Sequence, residues 1–314
     1  MSSQRSGVLR GDDLTGLAAF LGVTRPEVVV PPCWHWCVLN DPVDPKALDD
    51  RGQVRDSPLT PPPGVTRMFA GGRVHTITPL RLGLETTRTT ELTRSVAKQG
   101  RHGPLRFVTL TTTWCQAGRT VLIDETDHVF MGCAPHSSPT TTPTHATSAR
   151  PSPMGSDAAP NSAPADRSSP TGSGAAPSPA PSDRPAPAQH LVDPTFQAPG
   201  AHRIDVDELT LVTFSALTAN PYRIHWDRRF CAQAGHDGLV IHGPLQALWM
   251  AEQAFSGVDP ANLADVTFSY RLTAPATAPA VMTVEPHQVR RPDGVVTALS
   301  LIHISEPTRQ AEIS

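Results

Sequence analysis

An asparagine and a histidine stand five residues apart in Phe214-Ser-Ala-Leu-Thr-Ala-Asn220-Pro-Tyr-Arg-Ile-His225-Trp-Asp227, and Val240-Ile-His-Gly-Pro244 follows closely. An imidazole titrates near neutrality, so His225 can take up a proton and give it back. Asn220 cannot serve as a base. Its amide can accept from and donate to a water molecule and so fix that water's position. His-Gly-Pro reads as a helix start. Backbone N–H groups at a helix N-terminus stabilise negative charge as it develops, and Gly243 allows a ligand to approach closely. This set suits adding water to, or removing it from, a double bond conjugated to a thioester. Taken singly, His225 could be a core histidine and Gly243 a turn glycine; their combined spacing with Asn220 favours chemistry.

The elements around the motif can be read from periodicity. Leu209 to Phe214 is strand-like, a short helix is expected over Asp227 to Ala234, and Gly235-His-Asp-Gly238 makes a turn. Leu245, Leu248, Trp249, Ala251 and Phe255 recur at helical spacing, with Glu252 the polar exception, which predicts a longer helix from Gly243 to Phe255. Ala264 to Leu272, Ala280 to Arg290 and Val295 onward are predicted strands. In the front half, Asp12 to Leu21 opens a helix, and Pro31 to Pro63 is too rich in proline for long elements. Strands are expected at Arg73–Thr78, Glu85–Val96, Leu105–Trp114 and Thr120–Phe130, with Asp124, Glu125 and Asp127 on a solvated face. A helix with strands curling around it, present twice, predicts an α+β chain with two hotdog folds.

Composition narrows the classes. The chain has 314 residues and a net charge of -3, which gives no electrostatic footprint for nucleic acid. Only Lys46 and Lys98 are lysines, a bias expected of a GC-rich genome. Five irregularly spaced cysteines argue against a disulfide framework and for a reducing cytoplasm. The first ten residues lack the apolar run of a signal peptide, and no segment is apolar enough to span a bilayer. Cys33-Trp-His-Trp-Cys37 lacks the spacing of common zinc knuckles, so aromatic packing is expected there and no metal. From Ala134 to about His190 the chain is Pro, Ala, Ser and Thr, a composition expected of a disordered linker. The expected layout is a front hotdog over 1–133, a linker over 134–190 and a catalytic hotdog over 191–298. The tail Leu299-Ser-Leu-Ile-His-Ile-Ser-Glu-Pro-Thr-Arg309 resembles the translation of a transposase sequencing adapter. On that reading residues 299–314 are an artefact, the second hotdog is truncated, and a sheet edge stands open.

Phe214-Ser-Ala-Leu-Thr-x-Asn220-x-x-x-Ile-His225-x-Asp227 and Gly238-Leu-Val-x-His-Gly-Pro-Leu245 resemble the MaoC-type hydratase motif, in the branch of fatty-acid-synthase-like dehydratases and mesaconyl-C4-CoA hydratases. Pro32-Cys-Trp-His-Trp36, Arg67-Met-Phe-Ala-Gly-Gly-Arg73, Pro79-Leu-Arg-Leu-Gly83 and Gly103-Pro-Leu-Arg-Phe-Val108 resemble that branch's N-terminal domain. The resemblance implies a double-hotdog hydro-lyase acting on an acyl-CoA, with CoA as part of the substrate and no other cofactor. The wider family has Asp where this chain has Asn220. On this reading Arg223 would meet a substrate carboxylate or be a surface arginine. Tyr222 would line the acyl pocket or cap its loop, and His242 would touch substrate or orient the loop. Arg73, behind two glycines, would approach the CoA arm, or the segment is a plain hairpin bend. The front half would help form the cleft without catalytic residues. Two hotdogs in one chain imitate the usual homodimer, so a monomer suffices and further pairing stays open. The alternatives are a 3-hydroxyacyl-thioester dehydratase of fatty-acid synthesis, a thioesterase, which would need a carboxylate near Gly243, and a non-catalytic acyl-CoA-binding protein.

Overall fold

The computed structural model describes residues 2–55, 57–100, 103–132, 201–291, 294–303 and 306–313, with side chains described as far as Pro286. The 134–190 segment lies outside the described residues. The front half runs β1 (Ser2–Val8), α1 (Thr15–Leu21), β2 (Val65–Thr76), β3 (Glu85–Gly100), β4 (Gly103–Gln116) and β5 (Arg119–Gly132). The back half runs β6 (His202–Val206), α2 (Glu208–Leu217), α3 (Arg228–Gln233), β7 (Leu239–Val240), α4 (Gly243–Ala254), β8 (Val266–Leu272), β9 (Thr277–Ala278), β10 (Ala280–Arg291), β11 (Gly294–His303) and β12 (Glu306–Ile313).

Among the described residues, one antiparallel sheet of 10 strands has the order β1-β3-β4-β5-β2-β8-β12-β11-β10-β6. The first five belong to the front half and the last five to the back half. They meet where β2 pairs with β8, from Gly71 opposite Arg271 to Thr76 opposite Val266. Two glycines make that seam possible. A Cβ on Gly71, whose φ is +147°, would lie 2.4 Å from the Tyr270 carbonyl oxygen, and one on Gly72 would lie 2.3 Å from the Glu125 carbonyl oxygen. The glycine pair therefore lets three strands close up; it sits at a bulge between Phe69 and Gly71, within β2 rather than at a hairpin bend.

α4 is the central helix of the back half. Leu245 to Ala251 are all buried, as expected of a helix wrapped by sheet on every side. α1, by contrast, has only seven residues and ends at Gly22 in the left-handed conformation. Among the described residues the front half thus has no helix as long as α4. Trp34, Trp114, Leu80 and Leu14 fill its interior instead.

Two elements differ from the periodicity reading. Leu209–Phe214 is helical, not a strand. Asp207 caps α2 by accepting from the Thr210 N–H at 2.7 Å, and Leu211, Phe214 and Ser215 turn inward while Leu209 and Val212 face out. That spacing of three and four is a helix face hidden inside a run of mostly apolar residues. The tail also joins the sheet. β12 occupies the place between β11 and β8, with Arg309 opposite Leu272 and Ile313 opposite Phe268, so the expected open edge is filled. Ladder bonds are made by main-chain groups that nearly every residue carries, so this slot places little demand on residue type. No helix among the described residues is long and apolar enough to cross a membrane.

Candidate active site

A cavity of about 690 Å³ opens where the start of α4 meets strands of both halves. From the back half it is lined by Asn220, Tyr222, His225, His242 and Gly243 among others, and from the front half by Arg67, Phe69, Asp124 and His128. The sequence motif is thus gathered around one cavity.

His225 closes a short 3-10 turn, Arg223–His225, and is only 6% exposed. Its Nδ1 lies 2.7 Å from the Val240 carbonyl oxygen on β7. A carbonyl can only accept, so Nδ1 carries the hydrogen and Nε2 keeps its lone pair. Nε2 has no hydrogen-bond partner among the described residues. Burial pulls the His225 pKa down to about 4; the bond to Val240 works against this and the nearby Arg67 charge adds to it. At neutral pH His225 is an uncharged acceptor, the form a general base needs.

His242 packs flat against it, with ring centroids 3.5 Å apart and 16° between planes. Its Nε2 is 2.9 Å from Ser215 Oγ on α2, and burial, then the neighbouring His225, hold its pKa well below the usual value. Of the two roles open to His242, the contact with Ser215 supports the orienting one. It anchors the ring that supports His225.

Asn220 follows Ala219, which adopts a left-handed φ of 50° as α2 ends. Its backbone N–H donates to Ser215 O at 2.8 Å, and its Oδ1 accepts from the Tyr222 N–H at 3.2 Å. The amide is held to its own loop through one lone pair, which leaves Nδ2 for another partner. Tyr222 stands edge-on to His225 at 5.9 Å and lines the cavity. Asn220→Ala is expected to lower turnover by about tenfold to a hundredfold with a smaller change in KM, because a mispositioned water costs rate more than binding; steady-state kinetics on an enoyl-CoA measures it.

Gly243 opens α4, and His242 precedes it at the N-cap position. A Cβ there would lie 2.4 Å from Phe69 Cδ1 and 2.8 Å from Leu272 Cδ1, so strands of both halves press on the helix tip. Pro244 has no N–H and the Gln246 N–H donates to His242 O at 3.2 Å, so the Gly243 N–H is the first-turn donor that borders the cavity. Gly243→Ala should push Phe69 aside, cost about 1–3 kcal/mol of stability and impair turnover; a denaturant melt beside an activity assay tests both.

Two sequence-derived binding residues lie elsewhere. Arg223 is absent from the cavity wall. Its guanidinium donates to Asp227 Oδ2 at 2.6 and 3.0 Å and to Asp50 O at 2.9 Å, so it ties the loop to the front half. Arg73 is also outside the cavity and pairs with Glu125 across β2 and β5 at 2.7 Å. Nor do the acidic residues of β5 form a solvated face. Asp124 is buried and accepts from Trp36 Nε1 at 2.8 Å, with His35 Nε2 at 3.3 Å. Trp34 donates to Glu252 at 2.6 Å, so the Cys33–Cys37 segment packs its aromatic rings inward. The front half therefore supplies polar groups to the cavity wall: His35, Asp124, His128 and Arg67.

Residues 176–278 match the family described as hydroxyacyl-thioester dehydratase type 2. Over 289 residues the chain is 29% identical to the mesaconyl-C(4)-CoA hydratase of Chloroflexus aurantiacus, covering 89% of this chain and 85% of that one. The chain is similar to the MaoC-like hotdog dehydratases. Solved structures agree on the fold. A MaoC-like dehydratase from Phytophthora capsici superposes with a TM-score of 0.60 at 12% identity, covering 99% of this chain and 94% of that one. HtdX of Mycobacterium tuberculosis gives 0.57 at 12% identity, covering 100% and 99%. This MaoC-like protein is thus an α+β double hotdog and a hydro-lyase of the hydratase/dehydratase type.

Proposed function

We propose that the protein reversibly hydrates an enoyl-CoA and that its substrate is a short branched dicarboxylic thioester of the mesaconyl-C4-CoA kind, with citramalyl-CoA as product. The observation that carries the hydration step is the bond from His225 Nδ1 to Val240 O, which leaves Nε2 unprotonated beside the start of α4. In the forward direction Nε2 removes a proton from water held by Asn220. The hydroxide oxygen bonds to the β-carbon. The electron pair of the double bond moves through the α-carbon onto the thioester oxygen, and the Gly243 N–H at the start of α4 stabilises that enolate. As the enolate collapses, the α-carbon takes the proton from His225. No water atom is lost and the base is regenerated. Dehydration is the same path in reverse. The dicarboxylic substrate is supported by the Chloroflexus relative. A CoA substrate also fits a cytoplasmic enzyme.

The size of the cavity favours a second reading, dehydration of longer 3-hydroxyacyl thioesters by the same residues, since its lining reaches Trp114 and Thr112 of the front half. Purified protein incubated with mesaconyl-C4-CoA, crotonyl-CoA and a longer 2-enoyl-CoA decides the matter through loss of enoyl-thioester absorbance. Fastest turnover of the dicarboxylic thioester is expected. Preference for the long chain would select the second reading, and no turnover of any of them would remove both.

A further inference from the structure

Arg67 was not singled out by the motif, yet it lines the cavity beside Tyr222, with its guanidinium carbon 6.0 Å from the ring centroid. It has no hydrogen-bond acceptor and no ion-pair partner among the described residues. The neighbouring arginines differ. Arg51 pairs with Asp49, Arg88 with Asp41, Arg223 with Asp227 and Arg73 with Glu125. Asp49, the carboxylate that acts on Arg67 from a distance, is already used: Oδ2 accepts from Arg51 Nε at 2.8 Å, and Oδ1 accepts from the backbone N–H groups of Arg51 and Gln53. Arg51 and Arg67 together outnumber that single carboxylate, which leaves one positive charge unmatched. Arg67 is part-buried in the cavity wall, and that partial desolvation disfavours its charge. A desolvated charge without a partner is costly, and a ligand that supplies the counter-charge removes the cost.

The position of this charge decides what the ligand is. Arg67 bears on Tyr222 and on His225, so it stands at the catalytic end of the cavity. We infer that Arg67 binds a free carboxylate carried on the same carbon that receives water, which makes the substrate class the monothioesters of fumarate-type diacids. The inference rests on the hydration reading above. It also gives that reading a chemical logic. Hydroxide adding beside a carboxylate meets like-charge repulsion, and a guanidinium forked onto the carboxylate cancels it. A neutral enoyl group leaves Arg67 unpaired.

The test compares wild type, Arg67→Met and Arg67→Lys, each as the full chain, on mesaconyl-C4-CoA, fumaryl-CoA and crotonyl-CoA. Arg67→Met should lower kcat/KM for the two carboxylated thioesters about a hundredfold, and for crotonyl-CoA by much less. Arg67→Lys should recover part of the loss, since it keeps the charge without the fork. Equal losses on all three thioesters would overturn the inference and assign Arg67 to the CoA phosphates or to the fold. Thermal melts add a second readout: removing an unmatched, part-buried charge should raise the Tm of Arg67→Met, whereas a structural role would lower it. If wild type turns over none of the three, the hydration reading fails on its own. Calorimetric titration of mesaconyl-C4-CoA and crotonyl-CoA then still decides the question. Tighter binding of the carboxylated thioester, lost in Arg67→Met, upholds the carboxylate site, and equal binding of the two overturns it.

Discussion

Replacing His225 with alanine is expected to lower kcat on an enoyl-CoA by about a thousandfold while leaving KM within a fewfold of wild type. General base catalysis by a positioned side chain contributes 10²- to 10⁴-fold. The groups packed nearest to it lack the same standing. His242 is tied through Nε2 to Ser215, and Asn220 has no basic form. On the proposed mechanism the imidazole only carries a proton between water and the α-carbon, so the loss belongs to the transition state and not to binding. Stopped or steady-state assays on crotonyl-CoA give both constants. A variant that retains more than a tenth of the wild-type kcat would show that the proton is moved by something else.

Acid should unfold the protein well before its carboxylates titrate. Burial holds His225 down to about 4, His128 down to about 3 and His242 well below the usual value. In the unfolded chain all three take a proton near pH 6.5. Between that value and about 4 the unfolded state binds protons that the native state refuses, so stability falls as pH falls through this window. Each group contributes roughly 1.4 kcal/mol per pH unit below 6.5, so His225 and His128 alone remove on the order of 4 kcal/mol by pH 5, and His242 acts in the same direction. That is comparable with the whole stability of many domains, about 5–15 kcal/mol. Urea melts at pH 7, 6 and 5 measure it, and the midpoint should drop at each step. His128→Leu should flatten the slope. A midpoint unchanged from pH 7 to pH 5 would mean that these rings accept protons in the native state.

Much of this was legible in the sequence, and the exceptions are instructive. The α4 helix declared itself through its apolar spacing and its His-Gly-Pro start. The loop carrying Asn220 and His225 sits against that start, as the motif required. The α2 helix was hidden because Leu209, Leu211, Val212 and Phe214 form a mostly apolar run, and the capping Asp207 was the signal that distinguishes helix from strand there. β5 carried a readable clue that a simple count of acids obscured. Leu122, Asp124, Thr126, His128 and Phe130 alternate onto one side, and an acid in step with a leucine and a phenylalanine must face inward. The choice between Arg223 and Arg67 was out of reach, because it depends on which guanidinium finds a protein carboxylate. Asp227, four residues on, captures the first; nothing in local sequence reveals that Asp49 has already been taken by Arg51. β12 was missed because its membership rests on main-chain pairing, which leaves almost no trace in residue type.

The joint between β2 and β8 has a bearing on how such a chain could have arisen and how it can fail. Neither half owns a finished border there, since each strand completes its bonding only by using the other. Cutting the gene in two would yield a pair of proteins with raw edges, ready to stick to copies of themselves. The union commits both halves to acquire their shape together. A bulky residue at Gly72 would act as a wedge, harming the catalytic half from a position that touches none of its chemistry.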